Sequence, residues 1–299
     1  MYYEPLYTLL NQNQNLIATN HPMNSIYKRQ GYLTGLVFAL LSLILVGCTN
    51  QASRAEPHEM LNATLWQQSS AEYVGVVSQT WQLAQDNLDK ALTDPQWSAA
   101  IEQTGNYSHL PPAIMLDLDE TVLDNTAYEA RIIKRLGKYT HDSFSEWCRE
   151  VSAPAVTGAK AFLDYAAEQD VAVFYYSARR EKLRDCTQQN LHELQLPLPD
   201  ESRLFLSNGM SKSAYRSQVA QHYRILLLIG DNMEDFIDGF KTGPDTRRSL
   251  AHDYADRWGR QWIILPNPMY GHWESSIYNF DYALPRKEQL QHKIQELVE

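Results

Sequence analysis

Ala113-Ile-Met-Leu-Asp117-Leu-Asp-Glu-Thr121-Val-Leu-Asp-Asn125 is an apolar run that ends in two carboxylates, with a hydroxyl two residues further on. Buried strands of α/β proteins are short apolar runs, and open parallel sheets bind ligands at the carboxyl ends of their strands. There, Asp117 and Asp119 would repel each other and be costly to desolvate, unless a cation or a shared proton belongs to the site. The stretch therefore predicts a metal-assisted site in which the two carboxylates have different tasks.

The whole chain has 299 residues and a formal net charge of -10. This length predicts one large domain, or one domain with an insertion, and it is ample for a sizeable core. We expect no nucleic-acid partner, because nucleic-acid binding requires a basic patch or stripe. A small phosphorylated substrate remains compatible with the acidic balance, since only the local field of the pocket acts on it.

The N-terminal segment has the features of a signal peptide. A basic pair ending at Arg29 precedes the apolar segment 31–46, which is short for a membrane span and the right length for a signal-peptide core. Leu-Val-Gly-Cys48 follows and resembles a bacterial lipobox, in which the Cys is lipidated; a short membrane anchor with an incidental Cys is the alternative. We expect a signal peptide over residues 1–47 and a lipidated polar tether over 48–58.

Two further expectations concern this segment. A signal peptide has its basic region near the initiator, so we expect Met23 to be the true start and residues 1–22 not to be translated. Thr49 stands where an Asp tends to retain lipoproteins in the inner membrane of Gram-negative bacteria. We therefore expect a lipid anchor in the cell envelope, and in the outer membrane if the source is Gram-negative.

Cys148 and Cys186 are the two cysteines that follow Cys48. An exported protein can form a disulfide. Both residues lie in helix-like segments, however, and the sequence does not place them in contact. We therefore expect two free, buried cysteines.

Strand and helix patterns alternate after residue 112, which predicts an α/β fold with a parallel sheet covered by helices on both faces. Residues 60–104 have helical periodicity, and a mostly helical insertion over 126–152 follows the first strand. We expect these two parts to form a small helical subdomain of a domain spanning 59–299. The other predicted strands are Val171–Tyr176, Leu204–Leu206, Ile225–Ile229 and Trp262–Leu265, and the other predicted helices are Gly158–Glu168, Glu181–Leu194, Ser211–His222, Pro244–Trp258 and Arg286–Glu299.

Polar groups stand at or soon after the ends of four predicted strands. Two carboxylates, a hydroxyl, a cation and a second acidic pair are the groups that phosphoryl transfer through an aspartyl phosphate requires. A role as helix caps would explain the first pair but not the second. Ser177 could instead be an ordinary helix cap, and Lys212 could be an ordinary solvated side chain. The groups are Asp117 and Asp119, Ser177-Ala178-Arg179, Lys212, and Gly230-Asp231-Asn-Met-Glu-Asp235.

In this order the motifs resemble those of the haloacid dehalogenase (HAD) superfamily. Three longer segments, which begin at Asp117, Gly230 and Leu265, resemble the class C bacterial acid phosphatases, exported lipoproteins also described as the lipoprotein e family. The resemblance covers the chain from Cys48 onward. It implies an HAD-like Rossmannoid parallel sheet with a small helical cap, and a phosphomonoester hydrolase of the acid phosphatase or 5′-nucleotidase type.

The resemblance also implies a role for each motif residue. Asp117 would be the nucleophile, and Asp119 the general acid and then the general base. One Mg²⁺ would be bound by the carboxylates of Asp117 and Asp231 and by the backbone carbonyl of Asp119. Asp235 would orient a metal-bound water or pair with Lys212.

The resemblance implies that Ser177 and the backbone at Ala178 bind the phosphoryl oxygens, together with Lys212. Class C enzymes usually have Thr-Asn-Arg where this chain has Ser177-Ala-Arg179, so a hydroxyl is kept and an amide is lost. Arg216 is the alternative cation if Lys212 is misaligned. We expect Arg179, Glu120, Asp124 and Asn125 to be structural, or to contact and support the catalytic residues, rather than to be catalytic themselves. We expect Thr121 to support the turn and to bond a carboxylate.

Substrate selection is expected from the insertion and from the late loop. Tyr128 and Trp147 in the insertion, and Tyr270 and Trp273 in the loop, could stack on a nucleobase or could be core residues. Tyr270 is the strongest candidate.

We therefore expect an exported lipoprotein acid phosphatase that hydrolyses phosphomonoesters, including nucleoside 5′-monophosphates. A narrow-specificity phosphatase, a phosphotransferase and a non-catalytic binding lipoprotein are the alternatives. The natural substrate and the oligomeric state stay open, a homodimer included.

Overall fold

The computed structural model describes residues 58–198 and 200–299, and the structural statements below refer to these residues. They belong to one compact unit. The predictions of a signal peptide, a start at Met23 and a lipidated Cys48 lie outside the described residues. Within them, no helix has the length and apolar character needed to cross a membrane.

Five parallel strands form one sheet in the order β3-β2-β1-β4-β5. β1 is central, with Met115 paired to Phe174 of β2 on one side and to Leu228 of β4 on the other. All five strands of the sequence prediction are confirmed, and with them the α/β fold class. Their bounds are β1 Pro112–Leu116, β2 Ala172–Arg180, β3 Leu204–Ser207, β4 Arg224–Gly230 and β5 Trp262–Ile264.

Ten α-helices accompany the sheet in the described part of the chain. The predicted helices are present. The largest difference is in residues 60–104, where helix ends at Thr93, and the predicted helix over 244–258 ends at Asp253. The bounds are α1 Leu61–Ser69, α2 Ala71–Thr93, α3 Thr126–Lys134, α4 His141–Arg149, α5 Ala159–Glu168, α6 Arg184–Glu193, α7 Lys212–Ala220, α8 Pro244–Asp253, α9 His272–Ser275 and α10 Arg286–Gln295.

The sheet has a hydrophobic core on each face, because successive side chains of a strand point to opposite faces. In β1, Ile114 and Leu116 contribute to one core, and Ala113 and Met115 contribute to the other. Every residue of β4 is buried. This is the pattern of a strand covered by helices on both sides.

The helices before β1 divide between the insertion and the sheet. α1 packs on α3, which is the first helix of the insertion after β1. α2 packs on β4, β5 and α5, and Leu88 in α2 is fully buried in that core. The insertion contains α3 and α4, so the expected helical content of residues 126–152 is confirmed.

The expectation of two free cysteines is wrong. Cys148 in α4 and Cys186 in α6 form a disulfide whose Cα atoms are 5.6 Å apart. The two helices pack against each other, which brings together residues separated by 38 positions in the chain. Hydrophobic periodicity describes each helix separately, so it does not predict which two helices pack against each other.

Candidate active site

The loop after β1 turns sharply and directs its carboxylates toward the end of the sheet. Asp117 N donates to Ile229 O at 2.9 Å, so the nucleophile candidate extends the pairing of β1 with β4. Leu118 O then accepts hydrogen bonds from Val122 N and Leu123 N at 2.9 and 2.8 Å. Glu120 adopts a positive φ of 61° within this turn. The turn thereby places the two aspartates of the opening motif at one site.

Lys212 lies between two buried carboxylates. Its Nζ is 2.5 Å from Oδ1 of Asp117 and 2.5 Å from Oδ1 of Asp235. The side chain is only 10% exposed, which excludes a simply solvated lysine. Ser211 caps α7 by accepting from Ala214 N at 3.2 Å, and this cap fixes the helix start that carries Lys212. The expected pairing of Asp235 with Lys212 is thus present.

Arg216 does not replace Lys212 as the site cation. Its guanidinium is fully buried and donates to Glu102 Oε1 at 2.7 and 2.9 Å. It also donates to the backbone carbonyls of Glu234 and Asp235 at 3.1 Å. Arg216 therefore braces the turn after β4, and the alternative assignment is wrong because α7 directs it one turn away from Asp117.

Asp119 is held by three side chains. Nη2 of Arg179 donates to Asp119 Oδ1 at 2.8 Å, and Asn125 Nδ2 donates to the same oxygen at 2.8 Å. Ser177 Oγ donates to Asp119 Oδ2 at 3.3 Å and accepts from Arg179 N at 3.0 Å. β2 continues to Arg180, so Ser177 lies in the strand end and is not a helix cap.

Asp231 is held by two neighbours, one of which the sequence interpretation missed. Thr121 Oγ1 donates to Asp231 Oδ1 at 3.3 Å, which confirms the role expected for Thr121. Asn267 Nδ2 donates to Asp231 Oδ2 at 2.8 Å and joins the late loop to the end of β4. A polar residue just after the fifth strand was the available signal, because parallel strand ends meet at one edge.

Burial and charge set the protonation of this cluster. Burial raises the pKa of Asp117 well above its ordinary value; Lys212 opposes the rise, and Asp235 adds to it. Burial, with repulsion from Asp235, raises the pKa of Asp231 to about 7. Burial acts in the same direction on Asp119, but the Arg179 guanidinium and the hydrogen bonds around it hold the pKa of that carboxyl below its ordinary value.

The residues present fit a divalent cation. Two cations, Lys212 and Arg179, face the four carboxylates of Asp117, Asp119, Asp231 and Asp235. In residues 58–198 and 200–299 no cluster of three or more His, Cys, Asp or Glu side chains has metal-binding geometry. The expected ligand set contains only two carboxylates and one backbone carbonyl, which suits Mg²⁺ because that ion keeps several waters.

Two of the four aromatic candidates are core residues. Tyr128 and Trp147 are each 3% exposed. Tyr128 shares a hydrogen bond with Ser143 at 2.8 Å, and Trp147 Nε1 donates to Asn125 Oδ1 at 2.8 Å. Their predicted stacking on a substrate is therefore wrong, because both rings are enclosed by the insertion's own packing.

The late loop keeps its aromatic rings accessible. Trp273 is 44% exposed, and Tyr270 is half-buried. Tyr270 N lies 3.4 Å from Asn267 Oδ1, and Asn267 is the residue that bonds Asp231. The Tyr270 loop, residues 265–273, is thus connected directly to the carboxylate cluster.

Known proteins are similar to this chain in fold and in sequence. The chain matches the family model described as HAD superfamily, subfamily IIIB (Acid phosphatase), over residues 36–273. The class C acid phosphatase from Bacillus anthracis is 30% identical, with a TM-score of 0.72, over 80% of this chain and 97% of that one. Its tungstate-bound structure is 29% identical with a TM-score of 0.71 over the same shares. The chain therefore belongs to the HAD subfamily IIIB acid phosphatases and is a phosphomonoester hydrolase.

Proposed function

We propose that this acid phosphatase is an exported, lipid-anchored enzyme. It hydrolyses phosphomonoesters, including nucleoside 5′-monophosphates, through an aspartyl phosphate on Asp117 with Mg²⁺ as its metal. The observation that carries the mechanism is the position of Lys212 between Asp117 and Asp235, with Asp119 and Asp231 at the same sheet edge.

The first half-reaction forms the covalent intermediate. Lys212 holds Oδ1 of Asp117, while Oδ2 of Asp117 has no hydrogen-bond partner among the described residues. Oδ2 attacks phosphorus, the bond from phosphorus to the leaving oxygen breaks, and Asp119 in its protonated form gives that oxygen its proton. Because Arg179 and the hydrogen bonds around Asp119 hold the pKa of this carboxyl below its ordinary value, the protonated form grows as the pH falls. Ser177 and the backbone at Ala178 bind the phosphoryl oxygens during the transfer.

The second half-reaction releases phosphate. Asp119, now ionised, takes a proton from water, the water oxygen bonds to phosphorus, and the bond to Asp117 Oδ2 breaks. Bound Mg²⁺ would be held by Asp117, Asp231 and the Asp119 carbonyl, and it would neutralise negative charge on the phosphoryl group. The superfamily generally uses a divalent metal, which supports this assignment. The tungstate bound to the similar Bacillus anthracis enzyme supports a site for a tetrahedral oxyanion.

The nucleotide preference is supported by the Tyr270 loop. Asn267 ties this loop to Asp231, so the partly exposed Tyr270 and Trp273 stand close to where a phosphate ester would be held. An aromatic ring beside the leaving group suits a flat nucleobase.

Export and lipidation are supported by the lipobox-like Leu-Val-Gly-Cys48 and by the disulfide, because disulfides persist in oxidising compartments. A Cys48→Ser variant expressed in a Gram-negative host should move from the outer-membrane fraction to the soluble periplasmic fraction. Retention of the variant in the outer-membrane fraction would reject the lipid anchor.

The mechanism is tested by trapping the intermediate. Brief reaction with a phosphate-labelled chromogenic ester, followed by acid quench, should leave label on the wild-type protein and none on Asp117→Asn. Asp142→Asn, an exposed residue on α4, is the matched control and should label normally. Activity that persists in Asp117→Asn would reject the mechanism, and activity unaffected by thorough chelation would reject the metal. An added alcohol that captures most of the phosphate would indicate a phosphotransferase.

A further inference from the structure

Arg179 binds the proposed acid/base carboxylate through a forked contact. Its Nε lies 3.1 Å from both oxygens of Asp119, and its Nη2 lies 2.8 Å from Oδ1. The Arg179 side chain is 1% exposed, and that of Asp119 is 19% exposed. A planar guanidinium with several donors fixes both the position and the plane of a carboxylate, which a lysine cannot do.

The far side of the same guanidinium is enclosed by two helices. Nη1 donates to Thr187 Oγ1 of α6 at 3.1 Å and lies 3.8 Å from Sγ of Cys148 in α4. The guanidinium carbon also lies 5.4 Å from the ring centre of Phe144 in α4. One wall of the Arg179 pocket therefore comes from the insertion after β1 and the other from the helix after β2.

The disulfide joins these two walls. Cys148 is itself part of the α4 wall, and its partner Cys186 is the neighbour of Thr187 in the α6 wall. The crosslink holds α4 against α6 at the point where both contact Arg179. An outward displacement of the insertion would open the pocket, and the bridge opposes that displacement.

We propose that Arg179 is a positioning residue that holds Asp119 in the geometry for proton transfer, and that the Cys148–Cys186 disulfide keeps Arg179 in place. This inference rests on the proposed acid/base role of Asp119. In this proposal the disulfide helps to maintain the catalytic geometry of the site, in addition to its contribution to stability.

The leaving group provides the test, because a misplaced general acid matters most when the leaving oxygen is basic. We compare kcat/KM for an alkyl phosphate with kcat/KM for a dinitrophenyl phosphate, whose leaving group needs little protonation. Since general acid–base catalysis contributes ~10²–10⁴-fold, Arg179→Met should lower kcat/KM for the alkyl ester by about 10–100-fold and change that for the dinitrophenyl ester much less.

Arg131→Met is the matched control. Arg131 in α3 makes a forked pair with Glu150, the residue that follows α4, but this pair is at the surface, with side chains 42% and 41% exposed. The control variant should have the wild-type kcat/KM for both esters, and therefore the wild-type ratio between them. An equal loss for both esters in Arg179→Met, or a rise in KM alone, would overturn the proposal, because the residue would then be structural or would bind phosphate directly.

Three gentler changes keep the inference testable if Arg179→Met does not fold. Arg179→Lys keeps the positive charge but not the forked contact. Its kcat/KM should still fall more for the alkyl ester than for the dinitrophenyl ester. Thr187→Val removes one hydrogen bond to Arg179, and the alkyl rate should fall about three- to tenfold. The double variant Cys148→Ser, Cys186→Ser should also lose more kcat/KM for the alkyl ester than for the dinitrophenyl ester. If all three variants keep the wild-type ratio of the two kcat/KM values, the proposal is overturned.

These outcomes are distinguishable from failure of the proposed mechanism. A phosphate-induced rise in Tm in each variant verifies that the site still binds the anion. If Asp117→Asn remains active, the proposed mechanism fails. If Asp117→Asn is inactive and the leaving-group dependence is the same in Arg179→Met and wild type, only the present inference fails.

Discussion

Lys212 is the residue that allows two carboxylates to be buried side by side. Its ammonium contacts both Asp117 and Asp235, and these carboxylates raise its pKa well above the ordinary value although burial opposes the rise. Breaking a buried ion pair by removing one partner leaves an uncompensated charge, which costs more than the pair itself contributes. Lys212 is therefore needed for the stability of the strand ends, in addition to its proposed role in binding phosphate.

Lys212→Met tests this dual role. We expect the free energy of unfolding to fall by about 3–5 kcal/mol, because two buried carboxylates lose their cation. We expect kcat/KM to fall by roughly 10²–10³, comparable to the loss of one group that stabilises transition-state charge. Urea unfolding and steady-state kinetics measure the two effects. The exposed Lys287→Met is the control, and a Lys212 variant that matched it in both measurements would contradict the prediction.

Glu129 is a buried carboxyl beside the site, and its titration should affect stability. It lies on α3, is 4% exposed, and has no side-chain hydrogen bond within the described residues. Burial raises its pKa from 4.5 to about 8, and Asp119 and Glu274 add to the shift. Because the folded pKa is above the unfolded one, the stabilisation is complete below pH 4.5 and is lost as the pH rises through about 8.

Glu129→Gln should remove this dependence. Between pH 5 and pH 9 the wild type should lose roughly 2–4 kcal/mol more unfolding free energy than the variant. Denaturant unfolding in the presence of EDTA measures the difference without a contribution from metal binding. Glu72→Gln, on the exposed face of α2, should behave as the wild type. Parallel pH profiles for wild type and Glu129→Gln would show that Glu129 ionises normally.

At the scale of the elements, the Tyr270 loop is attached to the end of β4 through one amide. Asn267 donates to Asp231 Oδ2 at 2.8 Å, and its Oδ1 accepts from Met269 N at 3.0 Å. One side chain thus shapes the loop and orients a proposed metal ligand. Residues that orient ligands in this way typically change metal affinity when they are replaced.

Asn267→Ala should weaken metal binding about 10–100-fold, because Asp231 loses its orienting donor. The measurement is the Mg²⁺ concentration that restores half-maximal activity to EDTA-treated enzyme. Asn106→Ala, an exposed residue before β1, is the control. An unchanged Mg²⁺ requirement in Asn267→Ala would show that Asp231 does not need this contact.

Tyr270→Ala separates substrate recognition from chemistry. Base–aromatic stacking contributes ~1–3 kcal/mol, so KM for a nucleoside monophosphate should rise about 5- to 100-fold while KM for an alkyl phosphate changes little. Tyr107→Ala is a matched control, since Tyr107 is also partly exposed but precedes β1 at the opposite edge of the sheet. Equal changes in KM for both esters would reject stacking by Tyr270.

At the scale of the whole molecule, the cluster of buried carboxylates couples metal binding to folding. Asp117 follows β1 and Asp231 follows β4, and both have raised pKa values because burial and repulsion from Asp235 disfavour their charged forms. A cation that binds only the folded state neutralises this repulsion and stabilises the fold by mass action.

Saturating Mg²⁺ should therefore raise Tm. At a concentration ~100 times the Kd, the stabilisation is about 2.7 kcal/mol, which thermal unfolding with EDTA or with Mg²⁺ readily detects. Asp231→Asn should lose most of this shift and serves as the specificity control. An identical Tm with EDTA and with Mg²⁺ would contradict a metal site at these residues.

Local patterns in the sequence were enough to predict most of the fold and the chemical groups of the site. The alternation of strand and helix patterns, with acids at strand ends, predicted the parallel sheet because both depend on residues close together in the chain. Lys212, Asp231 and Thr121 were predicted in the same way, since parallel strand ends meet at one edge.

Contacts between distant segments decided the rest. The Cys148–Cys186 bridge depends on how the insertion packs on α6. The Arg179–Asp119 contact joins β2 to the loop after β1, and the enclosure of Trp147 depends on packing within and next to the insertion. Periodicity states which face of a helix is buried but not what covers that face. Asp117 and Asp119 were thus recognisable from sequence, whereas the contact of Arg179 with Asp119 and the disulfide beside Arg179 became visible only in the tertiary structure, because both join segments that are far apart in the chain.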